Sequence, residues 1–243
     1  MSNKVKNVFI AFSGLIVYSA LKIGFGFIFD DFVYIKLSSY LFVIVFGLLY
    51  LTAVIIYPKQ YEPPSKKVVA TALFTIGCFA VTSAITMLYF GNGLSTSVQT
   101  ESETFIGTMV ISGLVSFVVA PIAEEIIFRA LMYKQLAEIN STFALIMSSL
   151  IFAVWHGTLA HMYTALIGGV ILACVYQKTN KLVYSILCHS LFNISTALAA
   201  ILIPCPTGTV GLVSVLLSNV ISIIMIAALF ATKGVILPKK INR

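Results

Sequence analysis

The chain has 243 residues, of which 60% are hydrophobic and only 9% are charged, and its formal net charge is +7. Soluble domains carry about 25% charged residues, so this composition excludes an ordinary soluble domain and favours a protein whose helices face lipid. We therefore expect residues 1–243 to form a single integral membrane domain, a multi-pass protein of the cell membrane with lipid around it.

The positive net charge does not indicate a nucleic-acid-binding protein. The Lys and Arg residues lie between apolar segments and form no basic stripe or patch, whereas nucleic-acid-binding domains cluster such residues on one face. Basic residues that flank apolar segments are typical of membrane topology signals. We expect no nucleic-acid partner.

Eight apolar segments follow one another along the chain, each near the roughly 20 residues that a helix needs to cross a bilayer. In chain order they cover about residues 7–29, 38–57, 68–91, 105–133, 142–157, 160–177, 182–203 and 211–232. The polar stretch at residues 58–67 contains three prolines, which exclude a continuous helix there. The sequence therefore predicts an all-α polytopic membrane protein with about eight transmembrane helices.

Charge placement predicts the orientation of these segments. If the N-terminus is cytoplasmic, that face collects Lys4, Lys6, Lys59, Lys66, Lys67, Lys134, Lys178, Lys181, Lys233, Lys239, Lys240 and Arg243. The opposite face holds Lys36 and four acidic residues, which is the asymmetry that the positive-inside rule describes. Both termini are therefore predicted to be cytoplasmic. Lys22 falls inside the first segment and has no assigned role.

Six polar residues stand out within the apolar segments. They are Glu124, Glu125, Arg129, His156, His189 and Asn193. With Lys134 at the cytoplasmic end of the fourth segment, a rise of 1.5 Å per residue puts Glu124 about 15 Å inward. The same arithmetic puts His156 at about 21 Å, His189 at about 12 Å and Asn193 at about 18 Å from that face. Three segments thus deliver polar groups to a similar depth, which predicts one buried polar site.

The two adjacent glutamates are expected to have different roles. Glu125 and Arg129 are separated by four residues, so they share a helical face and can form an ion pair that fixes helix packing. Glu124 is about 100° further round the helix and would leave net negative charge in hydrocarbon. The ion pair does not account for Glu124, so Glu124 is the candidate for catalysis.

Three short motifs carry a family resemblance. The segment "EEIIFR" begins at Glu124, "FAVWH" ends at His156, and "HSLFN" begins at His189. They resemble the EExxxR, FxxxH and HxxxN motifs of the CPBP family, the CAAX-protease and bacteriocin-processing group of intramembrane proteases. The order and separations of the motifs are similar to the family's, and the resemblance covers about residues 105–200. We expect this range to be a CPBP-like catalytic core.

The resemblance implies a fold, an activity and a set of roles. It implies an eight-helix bundle whose site opens toward the cytoplasm, and endoproteolysis near the C-terminal end of a lipidated or hydrophobic peptide. Glu124 and His156 correspond to the family's catalytic glutamate and histidine, while His189 and Asn193 correspond to the residues proposed to hold the oxyanion. His161 lies outside the motifs.

A metal-dependent mechanism is the alternative to this metal-free one. Two histidines and a carboxylate form a known catalytic zinc shell with water in the fourth position, and Glu124, His156 and His189 are the residues that would supply it. The HExxH signature is absent, and these ligands would come from three separate helices. We expect no cofactor, with Zn²⁺ as the alternative.

Two other classes of function remain open. Some CPBP members are linked to bacteriocin immunity or to the regulation of sensor kinases, so the chain could be a non-catalytic membrane scaffold that binds a peptide or a kinase. A proton-coupled transporter would also need buried carboxylates and histidines, but no inverted repeat is visible. The favoured prediction is an intramembrane endopeptidase acting on a hydrophobic, prenylated or leader-type peptide.

Overall fold

The described residues of the chain are helical and contain no strand. The computed structural model describes residues 3–30, 32–55, 65–90, 110–157, 159–202 and 208–232. Over these ranges the helices are α1 Asn3–Gly26, α2 Phe32–Ile55, α3 Lys66–Phe90, α4 Val110–Ala137, α5 Ser141–Trp155, α6 Leu159–Thr179, α7 Leu182–Leu202 and α8 Gly208–Ala231. The predicted all-α fold class is confirmed, and the described part of each predicted apolar segment overlaps one of these helices; residues 56–57, 91, 105–109 and 203 of the predicted segments lie outside the described residues.

Helix length and composition also confirm a multi-pass membrane protein. Five of the helices, within the ranges just given, are long and apolar enough to cross a bilayer: α1, α3, α4, α7 and α8. The apolar stretches Tyr34–Val45 of α2 and Ser141–Trp155 of α5 are shorter. Eight crossings and the cytoplasmic position of both termini stay predictions.

The helices group into two compact units. The first comprises Met1–Gln60 and Gln99–Ser148, and the second comprises Tyr61–Val98 and Ser149–Arg243. The first unit therefore contains α1, α2, α4 and the first half of α5, while the second contains the remaining helices. The prediction of one integral membrane domain is not tested by this grouping and stays a prediction.

In the first unit, two glycines bring α1 and α2 close to α4. A Cβ atom at Gly14 would lie 2.8 Å from Leu131 Cδ1, and one at Gly47 would lie 2.5 Å from Ile126 Cγ2. At either distance the contacting side chain of α4 would have to shift, so glycine permits the present close contact. Membrane helices use small residues in this way because close approach of the backbones gains van der Waals contact.

In the second unit, α3 lies at the centre and packs against α6, α7 and α8. Its apolar core consists of Ala72, Ile76, Phe79, Ile171, Leu172, Cys174, Val175, Cys188 and Leu229. A hydroxyl contact adds to the apolar packing, since Thr82 Oγ1 lies 2.7 Å from Ser222 Oγ and donates to Ser218 O at 3.0 Å. Hydroxyl contacts between helices are a normal way to hold membrane helices in register.

Candidate active site

The predicted ion pair is present in α4 and is fully buried. Arg129 Nε lies 3.1 Å from Glu125 Oε2, and both side chains are 0% exposed. The four-residue spacing accounts for the contact because it places both side chains on one face of the helix. The ion pair itself is therefore confirmed, and its role in fixing the packing of α4 stays a prediction.

Glu124 has a different partner from its neighbour. The Tyr40 hydroxyl, on α2, donates a hydrogen bond to Glu124 Oε1 at 2.6 Å, and Glu124 is only 6% exposed. The Tyr40 ring lies against the Tyr18 ring of α1, with centroids 4.9 Å apart. The different partners of Glu124 and Glu125 agree with the predicted rotation of about 100° between them.

Sequence reasoning missed both tyrosines. Tyr18 and Tyr40 lie outside the three motifs, and Tyr40 is 84 positions from Glu124. A signal was available in principle: tyrosines of membrane proteins concentrate at the two membrane–water interfaces. A tyrosine well inside a spanning segment therefore needs a polar partner, and both of these are 2% exposed.

The backbone of α4 departs from α-helical geometry on both sides of the glutamates. The stretches Val115–Val119 and Ile126–Tyr133 are π-helical, and one α-helical segment, Ala120–Glu125, lies between them. Pro121 in that segment lacks a backbone N–H and is the local signal for irregular geometry. π-Helical turns occur frequently at functional sites because they redirect side chains relative to a regular helix.

In the second unit, His156 lies at the end of α5. Its Nδ1 is 2.8 Å from the carbonyl oxygen of Phe152, one turn earlier. A carbonyl oxygen only accepts hydrogen bonds, so Nδ1 is the donor in this contact, which leaves Nε2 for other partners. The following residue, Gly157, has φ +78°, a left-handed conformation that ends the helix directly after His156.

The Phe152 ring contacts the rings of both histidines, His156 and His189. Its ring centroid is 4.7 Å from that of His156 and 5.7 Å from that of His189, and both contacts are edge-on. Behind it, a Cβ atom at Gly169 would lie 3.2 Å from both Phe152 Cδ1 and Ser149 Cα. The close approach of α6 to α5 at this glycine therefore fixes Phe152, and through it the histidines.

The remaining candidate residues lie on α7 and α6. His189 is 4% exposed, and Asn193 follows it by one turn of α7 and is partly buried. The spacing of four residues puts both side chains toward one side of that helix. His161, outside the motifs, is exposed, and its carbonyl oxygen accepts a hydrogen bond from Thr164 at 3.1 Å.

The predicted site residues divide between the two units. Glu124, Glu125 and Arg129 belong to the first, whereas His156, His189 and Asn193 belong to the second. Among the described residues of each unit, no three His, Cys, Asp or Glu side chains are close enough together to hold a metal ion.

Two comparisons relate the chain to known proteins. Residues 106–195 match a family described as Type II CAAX prenyl endopeptidase Rce1-like, and all three motifs lie within this range. The chain is also 34% identical over 125 residues to the "Putative membrane peptidase YdiL" of Bacillus subtilis (strain 168), covering 50% of this chain and 49% of that protein. The chain thus matches about half the length of this relative. No solved structure matches it.

Proposed function

We propose that the chain is a CPBP-type intramembrane protease and that it hydrolyses a peptide bond with water activated by Glu124. The observation that carries the proposal is the separation of the two buried carboxylates. Glu125 lies 3.1 Å from Arg129, whereas Glu124 accepts a hydrogen bond from the Tyr40 hydroxyl at 2.6 Å. A buried carboxylate oriented by a phenol suits a group that accepts and later releases a proton.

In the proposed reaction, Glu124 takes a proton from a water molecule while the water oxygen attacks the scissile carbonyl carbon. His156 assists by accepting a hydrogen bond from that water at Nε2, because its Nδ1 is occupied by Phe152. When the C–N bond breaks, Glu124 returns the proton to the leaving amine. General acid–base catalysis of this kind contributes about 10²–10⁴ in rate.

His189 and Asn193 are proposed to stabilise the oxyanion of the tetrahedral intermediate. An amide NH₂ and an imidazole N–H both donate hydrogen bonds, and the four-residue spacing presents them from one side of α7. Loss of one such donor reduces turnover by about 10²–10³. The role of Phe152 and Gly169 is to keep the ring of His189 in place.

A zinc-dependent version of the proposal is tested by metal removal. One carboxylate and two imidazoles suit Zn²⁺ chemically, and the Nδ1 contact of His156 is the kind of hydrogen bond that orients a metal-binding imidazole. Glu124, His156 and His189 would hold the ion, which would supply a bound hydroxide. We propose the metal-free reaction, for which activity persists in a chelator; activity that is lost and then restored by zinc would establish the other version.

The substrate class that we propose is a hydrophobic peptide, with prenylated and leader-type peptides as its specific forms. The test is a panel of fluorogenic peptides incubated with the purified protein in nanodiscs, each made with and without a farnesyl group. Cleavage sites are mapped by mass spectrometry. Cleavage confined to farnesylated peptides supports a prenylated substrate. No cleavage of any peptide would contradict the enzyme and favour the scaffold that binds a peptide or a sensor kinase.

A further inference from the structure

We propose that Tyr40 is a positioning residue for Glu124, acting from a helix outside the segment that matches the peptidase family. Tyr40 lies on α2, whereas the family match covers residues 106–195. The inference rests on the proposed catalytic role of Glu124 and deepens it: one oxygen of the carboxylate is fixed by a phenol so that the group faces the attacking water in a constant orientation.

The contact has the features of a strong, buried hydrogen bond. The 2.6 Å distance between Tyr40 Oη and Glu124 Oε1 is typical of O–H···O bonds to carboxylates, which are shorter than bonds between neutral groups. Tyr18 and Tyr40 are each only 2% exposed, and their ring centroids lie 4.9 Å apart. The Tyr18 ring therefore packs against the phenol that donates to Glu124.

The packing of the first unit explains why these tyrosines reach the carboxylate. Gly14 and Tyr18 are four residues apart on α1, and Tyr40 and Gly47 are seven apart on α2, so each glycine shares a helix face with a tyrosine. Both glycines contact α4, at Leu131 and Ile126 respectively. The glycine contacts therefore place the helix faces that carry Tyr18 and Tyr40 toward α4.

The chemistry of the partner is the reason to assign a positioning role. A buried carboxylate must be hydrogen-bonded, and Arg129 meets that need for Glu125 by supplying a full positive charge. Tyr40 supplies a donor without a charge. A short hydrogen bond from a buried phenol restricts the orientation of the Glu124 carboxyl group.

The test compares Tyr40→Phe with wild type on a peptide that wild type cleaves, measuring kcat, KM and the thermal midpoint of the purified protein. We expect kcat to fall about 10–100-fold, the scale associated with small misplacement of a reacting group, with KM and the midpoint unchanged. Ser39→Ala is the matched control, since Ser39 is a fully buried hydroxyl on the same helix that bonds the Ile35 carbonyl instead. Its kcat is expected to equal that of wild type.

Two kinetic results would overturn the proposal: an unchanged kcat in Tyr40→Phe, or a fall that Ser39→Ala reproduces. If Tyr40→Phe does not fold, Tyr18→Leu removes the ring that packs against Tyr40 and is expected to lower kcat less strongly. The infrared carboxyl band of Glu124, assigned by its loss in Glu124→Gln, gives a readout without substrate. A band that shifts in Tyr40→Phe supports the contact even if no peptide is cleaved, in which case only the proposed function has failed; an unshifted band overturns the contact.

Discussion

Replacing Arg129 by Met tests how the buried ion pair supports the fold. Glu125 and Arg129 are both 0% exposed and 3.1 Å apart, so Arg129→Met leaves a carboxylate buried without its cation while nearly conserving side-chain volume. Breaking a buried pair from one side costs about 3–5 kcal/mol. At about 2–4 °C per kcal/mol for a chain of this size, the apparent Tm should fall by about 6–20 °C.

The double variant Glu125→Leu/Arg129→Met separates charge from packing. Replacing both partners of a buried pair by apolar residues is often neutral or stabilising, so the double variant should regain most of the stability that Arg129→Met loses. The assay is thermal unfolding of the purified variants in one detergent, with membrane abundance as a second readout.

The reasoning would be refuted by either of two results. One is a fall of less than about 1 kcal/mol for Arg129→Met, which would mean that the pair resembles an exposed salt bridge. The other is a double variant no more stable than the single one, which would mean that the shape of the pair matters and its charge does not.

Two further predictions follow from the packing and from the proposed oxyanion site. Gly47→Ala should lower both stability and turnover because the new Cβ would meet Ile126 Cγ2 at 2.5 Å. Gly77→Ala should stabilise α3 by about 1 kcal/mol because its new Cβ meets nothing within 4 Å. Thermal unfolding measures both effects, and equal shifts of the two unfolding midpoints would contradict the close-contact argument. Asn193→Ala should lower kcat by about 10²–10³ with normal abundance in membranes, and steady-state kinetics with an unchanged kcat would remove Asn193 from the proposed mechanism.

The helices were predictable from the sequence because membrane helices leave a direct signal. Apolar runs of about 20 residues marked all the helices in the described ranges, and the spacing from Glu125 to Arg129 gave the ion pair. The contact of Phe152 with His156 follows from the same four-residue rule. Each of these features depends on residues close together in the chain.

The partners of Glu124 could not be predicted in the same way. The hydrogen bond from Tyr40 joins residues 84 positions apart, and it depends on how closely α2 approaches α4 at Gly47. No periodicity in the sequence encodes that distance. The π-helical stretches of α4 could not be predicted either. Pro121 indicates irregular backbone geometry at this point but does not specify a π-helix.

The most direct test of the account is peptide cleavage by purified Glu124→Gln beside wild type and Glu138→Gln. Glu138 is an exposed glutamate just beyond the end of α4, so its substitution controls for the loss of one carboxylate from the chain. The account predicts that kcat falls by about 10²–10⁴ in Glu124→Gln and stays at the wild-type value in Glu138→Gln. Equal cleavage by Glu124→Gln and wild type would contradict the claim that Glu124 activates the water.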